Sequence, residues 1–215
     1  MNKAVVFDLD GTLIHSLPDI AENLNIMLKK FGYPEREEKE VRNFIGNGAR
    51  KLVERGLGDG VTQEQVDTCL AYYNKIYTAS GSPKTALFDG VREMLFELKA
   101  RGYKLAILTN KPQMTTDDVY QTYLKEFDFD KVVGQSATVK CKPDKEAVLS
   151  ILRDIDVLPE NAVFVGDGET DVMVAVNAKM RGISALWGYR DKDVLEKYGA
   201  KEFALSPKDI LKLVN

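Results

Sequence analysis

Cysteine and histidine are scarce in this chain of 215 residues, which has two Cys (Cys69 and Cys141) and one His (His15). Cys69 and Cys141 match no metal-binding spacing and form no disulfide framework, so a zinc module and a disulfide-stapled secreted scaffold are both excluded. Long hydrophobic runs are missing too. No stretch approaches the roughly 20 apolar residues that cross a bilayer. Met1-Asn2-Lys3 leads through Ala4-Val5-Val6-Phe7 straight into Asp8-Leu9-Asp10, where the acids break any signal-peptide core. Nor is there an excess of one charge: 30 Lys and Arg against 33 Asp and Glu give a net charge of -3. A surface so nearly neutral attracts neither nucleic acid nor anionic lipid. The expectation is a cytoplasmic protein with no nucleic-acid partner and no membrane, either monomer or homodimer.

What is present is an ordinary globular composition, 44% hydrophobic and 29% charged, of a length that suits one large or two modest domains. Short apolar runs at Val5–Phe7, Leu105–Leu108, Val163–Val165 and Ile183–Leu186, with a weaker one at Val132-Val133, read as parallel strands buried on both faces. Helical stripes lie between them: Val91, Met94, Leu95 and Leu98; Ala147, Val148, Ile151, Leu152 and Ile155; Ile210, Leu211 and Val214. Strand alternating with helix predicts an α/β fold, a doubly wound, Rossmann-like parallel sheet. From about Ser16 to Ser82 the pattern is helical throughout. It therefore predicts an all-helical insertion, 16–82, in a core made of 1–15 and 83–215. The alternative is a single domain carrying extra surface helices.

Candidate chemistry sits at the strand ends, where open parallel sheets bind ligands. Asp8-Leu9-Asp10-Gly11-Thr12 ends the first strand and offers two carboxylates, with Gly11 for a sharp turn and close approach. Thr109 and Asn110 end the second, a hydroxyl with free backbone N–H groups beyond it that suits phosphate oxygens. Lys142 precedes Pro143, which restricts its backbone, and its ammonium can neutralise an anion. Asp167 and Asp171 follow the Val163–Val165 run. Carboxylates gathered on neighbouring strand ends repel unless a cation or proton intervenes, and hard oxygen ligands favour magnesium. Singly, each of these is readily a turn, a cap or a solvated residue. Together they describe metal-assisted attack on a phosphoryl group.

Asp8-x-Asp10-Gly11-Thr12, Thr109, Lys142-Pro143 and Gly166-Asp167-x-x-x-Asp171 resemble, in order and spacing, the four motifs of the haloacid dehalogenase superfamily, across essentially the whole chain. The insertion looks like that superfamily's C1-type helical cap. Gly46-Asn47-Gly48-Ala49, with Leu52 and Glu54-Arg55, resembles the cap loop of its phosphoglycolate phosphatases, and Leu186-Trp187-Gly188-Tyr189-Arg190 resembles the same group and related pyrophosphatases. The resemblance implies Asp8 as nucleophile and Asp10 as general acid and base. It implies Mg2+ held by Asp8, the Asp10 backbone carbonyl and Asp167, with Asp171 supporting, and phosphate held by Thr109, Asn110 and Lys142. The dehalogenases carry Tyr where this chain has Asp10, so phosphate is favoured over halide. The implied activity is hydrolysis of a small phosphorylated metabolite through an aspartyl-phosphate, phosphoglycolate being the first candidate. A related pyrophosphatase, a sugar phosphomutase and a non-catalytic phosphate-binding module are the alternatives.

His15 stands where relatives often have Asp, and reads as a hinge or surface residue or as a substrate contact. Lys179 takes a position that is often Gly. In the cap loop, Gly46, Asn47 and Gly48 are expected to face the leaving group. Arg50 either pairs with a substrate carboxylate or is a solvated helix-start residue.

Overall fold

In a computed structural model that describes residues 3–214, the first strand already shows why the chain is doubly wound. Met1, Asn2 and Asn215, part of the expected core segments, lie outside the described residues. β1 (Ala4–Phe7) is fully buried, and its side chains alternate between faces: Val5 and Phe7 join one apolar cluster, Ala4 and Val6 another. A strand with no polar face needs cover on both sides, and helices provide it.

The chain then forms β2 (Ile14–His15), four helices (α1, Leu17–Lys30; α2, Glu38–Phe44; α3, Ala49–Leu57; α4, Gln63–Ser80) and β3 (Ala86–Leu87), which pairs antiparallel with β2. Alternation follows: α5 (Val91–Ala100), β4 (Lys104–Pro112), α6 (Gln113–Val119), β5 (Lys131–Gln135), α7 (Glu146–Asp154), β6 (Ala162–Gly166), α8 (Glu169–Asn177), β7 (Arg181–Ala185), α9 (Lys192–Lys197), β8 (Phe203–Ala204) and α10 (Pro207–Leu213). Among the described residues, six strands form one sheet in the order β5-β4-β1-β6-β7-β8, every pairing parallel. The fold is thus the α/β class that the sequence predicts. Met94, Leu95 and Leu98 of α5 and Ile210 of α10 cover the Phe7 face; Val148, Ile151 and Leu152 of α7 and Val174 of α8 cover the Val6 face.

The four helices between β2 and β3 share a separate apolar cluster built on Leu24, Met27, Leu28, Val53, Val66 and Tyr73. Their ends follow local chemistry. Thr62 and Gln65 form a reciprocal capping box at the start of α4, and Gly81 ends it in the left-handed region. The paired β2 and β3 form the double crossing through which the chain leaves the sheet and returns. Asp19, fully buried in the first turn of α1, tightens that crossing by accepting the backbone N–H of Lys84 at 3.0 Å and the hydroxyl of Thr85 at 2.7 Å. Lys179 lies in the left-handed region at φ 56°, a conformation that glycine adopts without a steric cost. Among the described residues no helix is long and apolar enough to cross a membrane.

Candidate active site

Strand register builds the site. Phe7 lies level with Ile107 of β4 and with Val165 of β6, so Asp8, Thr109 and Asp167 emerge side by side at the carboxyl edge of the sheet. The backbone N–H of Asp8 still donates to the carbonyl of Val165 at 2.9 Å, which fixes where its side chain starts. Asp8, Asp167 and Asp171 are all buried and bring one carboxylate oxygen each within 4.8 Å of one another. Lys142 lies against them, its Nζ 2.8 Å from Asp8 Oδ1 and donating to Asp171 Oδ1 at 2.7 Å.

The acids are held by the backbone as well as by the lysine. Asp167 accepts from the Thr12 hydroxyl at 2.9 Å and from the Tyr189 N–H at 2.7 Å; Asp171 accepts from the Gly168 N–H at 2.9 Å. Space around them is minimal. A Cβ on Gly11 would lie 2.3 Å from Asp167 Oδ2, and one on Gly188 would lie 2.3 Å from Asp167 Cβ and 2.4 Å from the Gly11 carbonyl oxygen. Gly11 also takes φ 86°, the left-handed turn that carries the chain off β1.

One ammonium faces three buried carboxylates and cannot neutralise them all. Burial, then repulsion from Asp171, raises the pKa of Asp8 well above the carboxylate range, and Lys142 opposes this only in part. Burial and Asp171 likewise push Asp167 up to about 7, against the bonds from Tyr189 and Thr12. Hard oxygen donors under this mutual repulsion fit a divalent cation, whose charge offsets the crowding.

A pH dependence follows. Between pH 3.8 and about 7 the unfolded chain has released a proton that folded Asp167 retains, so the metal-free protein loses stability as pH rises through that window. The slope is about 1.4 kcal/mol per pH unit for one such group. A divalent cation binds the ionised form and displaces the proton. It is therefore expected to raise Tm more at about pH 8 than at about pH 5. Melts in chelator and in metal at both pH values check this, and equal shifts would contradict it.

Asp10 points elsewhere. Its carboxylate accepts from Lys111 Nζ at 3.1 and 3.3 Å and from the Ser16 hydroxyl, so its side chain is not one of the clustered three. Asp8 and Asp10 nonetheless line one cavity, of about 60 Å³, between the sheet edge and the helices. Thr109 lines it too, its hydroxyl accepting from the Lys111 N–H at 3.2 Å. Asn110 also reaches the cavity, with its amide committed to backbone: it accepts from Lys142 N at 2.7 Å and donates to Lys142 O at 3.2 Å and Gly46 O at 2.9 Å.

Of the expected loop residues, Gly46 and Gly48 line the cavity. Gly48 starts α3 at φ 85°, and a Cβ there would lie 3.4 Å from the carbonyl oxygen of Asn110. Asn47 turns back and accepts from Arg55 at 2.7 Å. Arg50 points away, ion-paired with Asp67 and Glu54 and donating to Gln63 at 3.2 Å, which is the arrangement of a helix-start residue on a solvated face. His15 is absent from the cavity lining; it sits in β2 with its ring 5.4 Å from that of Phe88 and 6.1 Å from that of Tyr189.

Several participants have no role assigned by the sequence. Lys111, Tyr77 and Ser16 form a network with Asp10, and Tyr189 bonds Asp167 through its N–H while its hydroxyl accepts from the N–H groups of Ser16 and Leu17. Arg190 joins the helices to the sheet edge. It donates to Glu169 at 2.9 Å and to the carbonyls of Arg42 and Ile45, at the end of α2, at 2.9 and 2.6 Å. Lys111 stands three residues after the apolar run that ends at Leu108, and nothing in the local sequence marks its pairing with Asp10 and Tyr77.

A parallel sheet that gathers carboxylates and buried lysines at its carboxyl edge, under a helical roof, defines an α/β enzyme built for phosphoryl chemistry. A family model described as haloacid dehalogenase-like hydrolase matches residues 5–185. The chain belongs to that family, and it is a phosphatase. It is 35% identical over 192 residues to phosphoglycolate phosphatase 1 of Pseudomonas aeruginosa, covering 87% of this chain and 70% of that one. It is 34% identical to the phosphoglycolate phosphatase of Psychrobacter arcticus, over 87% of this chain and 84% of that one. A crystal structure from Haemophilus somnus, solved as a predicted phosphoglycolate phosphatase, matches all of this chain and 98% of its own at TM-score 0.91 and 28% identity. A Lactobacillus delbrueckii structure matches at TM-score 0.93 over 100% and 99% of the two chains, and at 24% identity that likeness carries the fold.

Proposed function

We propose that this protein is a magnesium-dependent phosphomonoesterase that hydrolyses a small phosphorylated metabolite, 2-phosphoglycolate being the first candidate. The observation that carries the reading is the pairing of Asp8, held against Lys142 at 2.8 Å, with Asp10 across the same cavity. Asp8 Oδ attacks phosphorus and displaces the alkoxide, which takes a proton from Asp10. Asp10, now a carboxylate, takes a proton from water as that water attacks phosphorus, and the Asp8 carboxylate is released. Lys142 and Thr109 hold the phosphoryl oxygens through charge and hydrogen bonding. Mg2+, held by Asp8, Asp167 and Asp171 with the Asp10 carbonyl, would supply positive charge against the phosphate and the crowded acids.

The helices 16–82 serve as a cap over the core 1–15 and 83–215, resting on the Gly46–Asn110 contact and on Arg190. The reading is of a cytoplasmic enzyme, working without membrane or nucleic acid as monomer or homodimer; the free thiols of Cys69 and Cys141 suit a reducing compartment.

The test is phosphate release from a panel of 2-phosphoglycolate, sugar 1-phosphates, pyrophosphate and an aryl phosphate, in magnesium, calcium and chelator. Magnesium-dependent release with the highest kcat/KM on 2-phosphoglycolate is expected. Calcium is expected to inhibit through its looser coordination. Full activity in chelator, or no release from any compound, would overturn the reading.

A further inference from the structure

Among the described residues, Lys111 is the one cation lining the cavity between the sheet edge and the helices. Its side chain is only 4% exposed. Its Nζ donates to Tyr77 Oη at 2.8 Å and to both oxygens of Asp10, at 3.1 and 3.3 Å, and lies 4.6 Å from the Tyr77 ring centroid. An ammonium has three donors, and here they meet three oxygens, of which Asp10 Oδ2 at 3.3 Å is the farthest. The wall beyond is apolar or aromatic, made by Ile20, Ile45, Leu52 and Tyr73.

Holding a cation in such surroundings is costly unless something anionic meets it. Asp10 meets it in the free enzyme, and both groups stand on the cavity wall, where a bound anion can reach the ammonium. Lys142, the ammonium at the phosphate end, is not part of that wall. The two lysines therefore mark two separate anion positions, one at Asp8 and one between Asp10 and Tyr77 of α4. The cavity that Lys111 lines is small: about 60 Å³ admits a few water-sized groups.

We infer that Lys111 is the specificity-determining residue that receives a carboxylate on the leaving group, which selects small phosphomonoesters whose alcohol bears a carboxylate within one or two carbons of the ester oxygen. The inference rests on the phosphatase reading of the same site. It moves recognition of the leaving group from Arg50, which is engaged with Asp67 and Glu54, to a lysine on the core. The substrate carboxylate replaces Asp10 Oδ2, the farthest of the three acceptors, and shares the ammonium with Asp10 Oδ1, and Tyr77 keeps the ammonium in place from α4.

The test compares 2-phosphoglycolate with ethyl phosphate, a substrate of similar size with a neutral tail, on the wild-type enzyme, Lys111→Met and Lys111→Arg. Both activities fall in Lys111→Met because Asp10 loses its partner, so the informative quantity is the ratio of the two kcat/KM values. That ratio is expected to fall roughly tenfold to a hundredfold, from the loss of one charge-assisted bond. The selective part should appear in KM, and Lys111→Arg should recover part of the ratio. An unchanged ratio would overturn the inference and leave Lys111 as a positioning residue for Asp10. A wild-type enzyme that turns over both substrates without preference would overturn the inference while sparing the phosphatase reading. One that turns over neither would remove both. Should Lys111→Met fail to fold, a crystal structure of the wild-type protein with 3-phosphonopropionate decides: its carboxylate on Lys111 Nζ supports the inference, and a carboxylate bonded elsewhere overturns it.

Discussion

Asp8→Asn is expected to fold normally and to lose at least about three orders of magnitude in turnover, about 4 kcal/mol of barrier. The amide is nearly isosteric, but it is a poor nucleophile and a weaker ligand for a hard cation. Stability should move the other way. Burial and Asp171 hold the Asp8 carboxyl toward its neutral form, so an uncharged amide removes a repulsion. The metal-free variant should therefore melt no lower than the metal-free wild type at about pH 7. Its added stabilisation by magnesium should shrink. Phosphate-release assays and melts with and without metal check both halves. A variant retaining more than about a tenth of wild-type turnover, only ~1.4 kcal/mol of barrier, would deny Asp8 the nucleophile's role.

Gly188→Ala should be the most damaging single-methyl change near the site. Its Cβ would stand 2.3 Å from Asp167 Cβ and 2.4 Å from the carbonyl oxygen of Gly11, and neither neighbour is the far end of a flexible side chain. Something must shift: either the turn after β1 or the start of the Asp167 loop, each of which carries a site residue. Overpacking costs about 1–3 kcal/mol where side chains can yield, and more where backbone must. In a protein of this size each kcal/mol is worth roughly 2–4 °C in Tm, so a fall on the order of 10 °C is expected, with weaker magnesium activation. Gly199→Ala is the control. Gly199 has φ 98° but nothing within 4 Å of the place its methyl would take, so only its conformational cost is felt. Equal Tm losses in the two variants would show that crowding at Gly188 is not what holds Asp167.

The parts of the site that were legible in the sequence are those that follow directly from a buried strand. Asp8, Thr109 and Asp167 each come just after an apolar run, and parallel register places the ends of such runs together. Lys111 lies near the end of the same strand as Thr109, yet its meaning depends on Asp10 and Tyr77, which are distant in the chain and marked by no local pattern. Arg50 shows the converse. It adjoins a glycine loop that does reach the cavity, but the turn of α3 carries its side chain toward Asp67 on α4. In the fold, the long strands and amphipathic helices were visible through their periodicity. The two-residue strands β2, β3 and β8 are too short to show a period, α6 is mostly polar, and α9 buries only Leu195. The helical segment between Leu17 and Ser80 was legible because its stripes are interrupted by glycine and by Ser-Gly-Ser-Pro.

The proposed covalent phosphorylation of Asp8 is the step on which the mechanism depends, and trapping it tests that step most directly. Turnover of radiolabelled substrate is quenched in acid, the protein is treated with borohydride, and its peptides are sequenced by mass spectrometry. Label bound to the protein in the quench, and conversion of Asp8 alone to homoserine by reduction of its acyl phosphate, is the expected result. Label on any other residue, or an enzyme that turns over while position 8 stays unmodified under every quench, would contradict it.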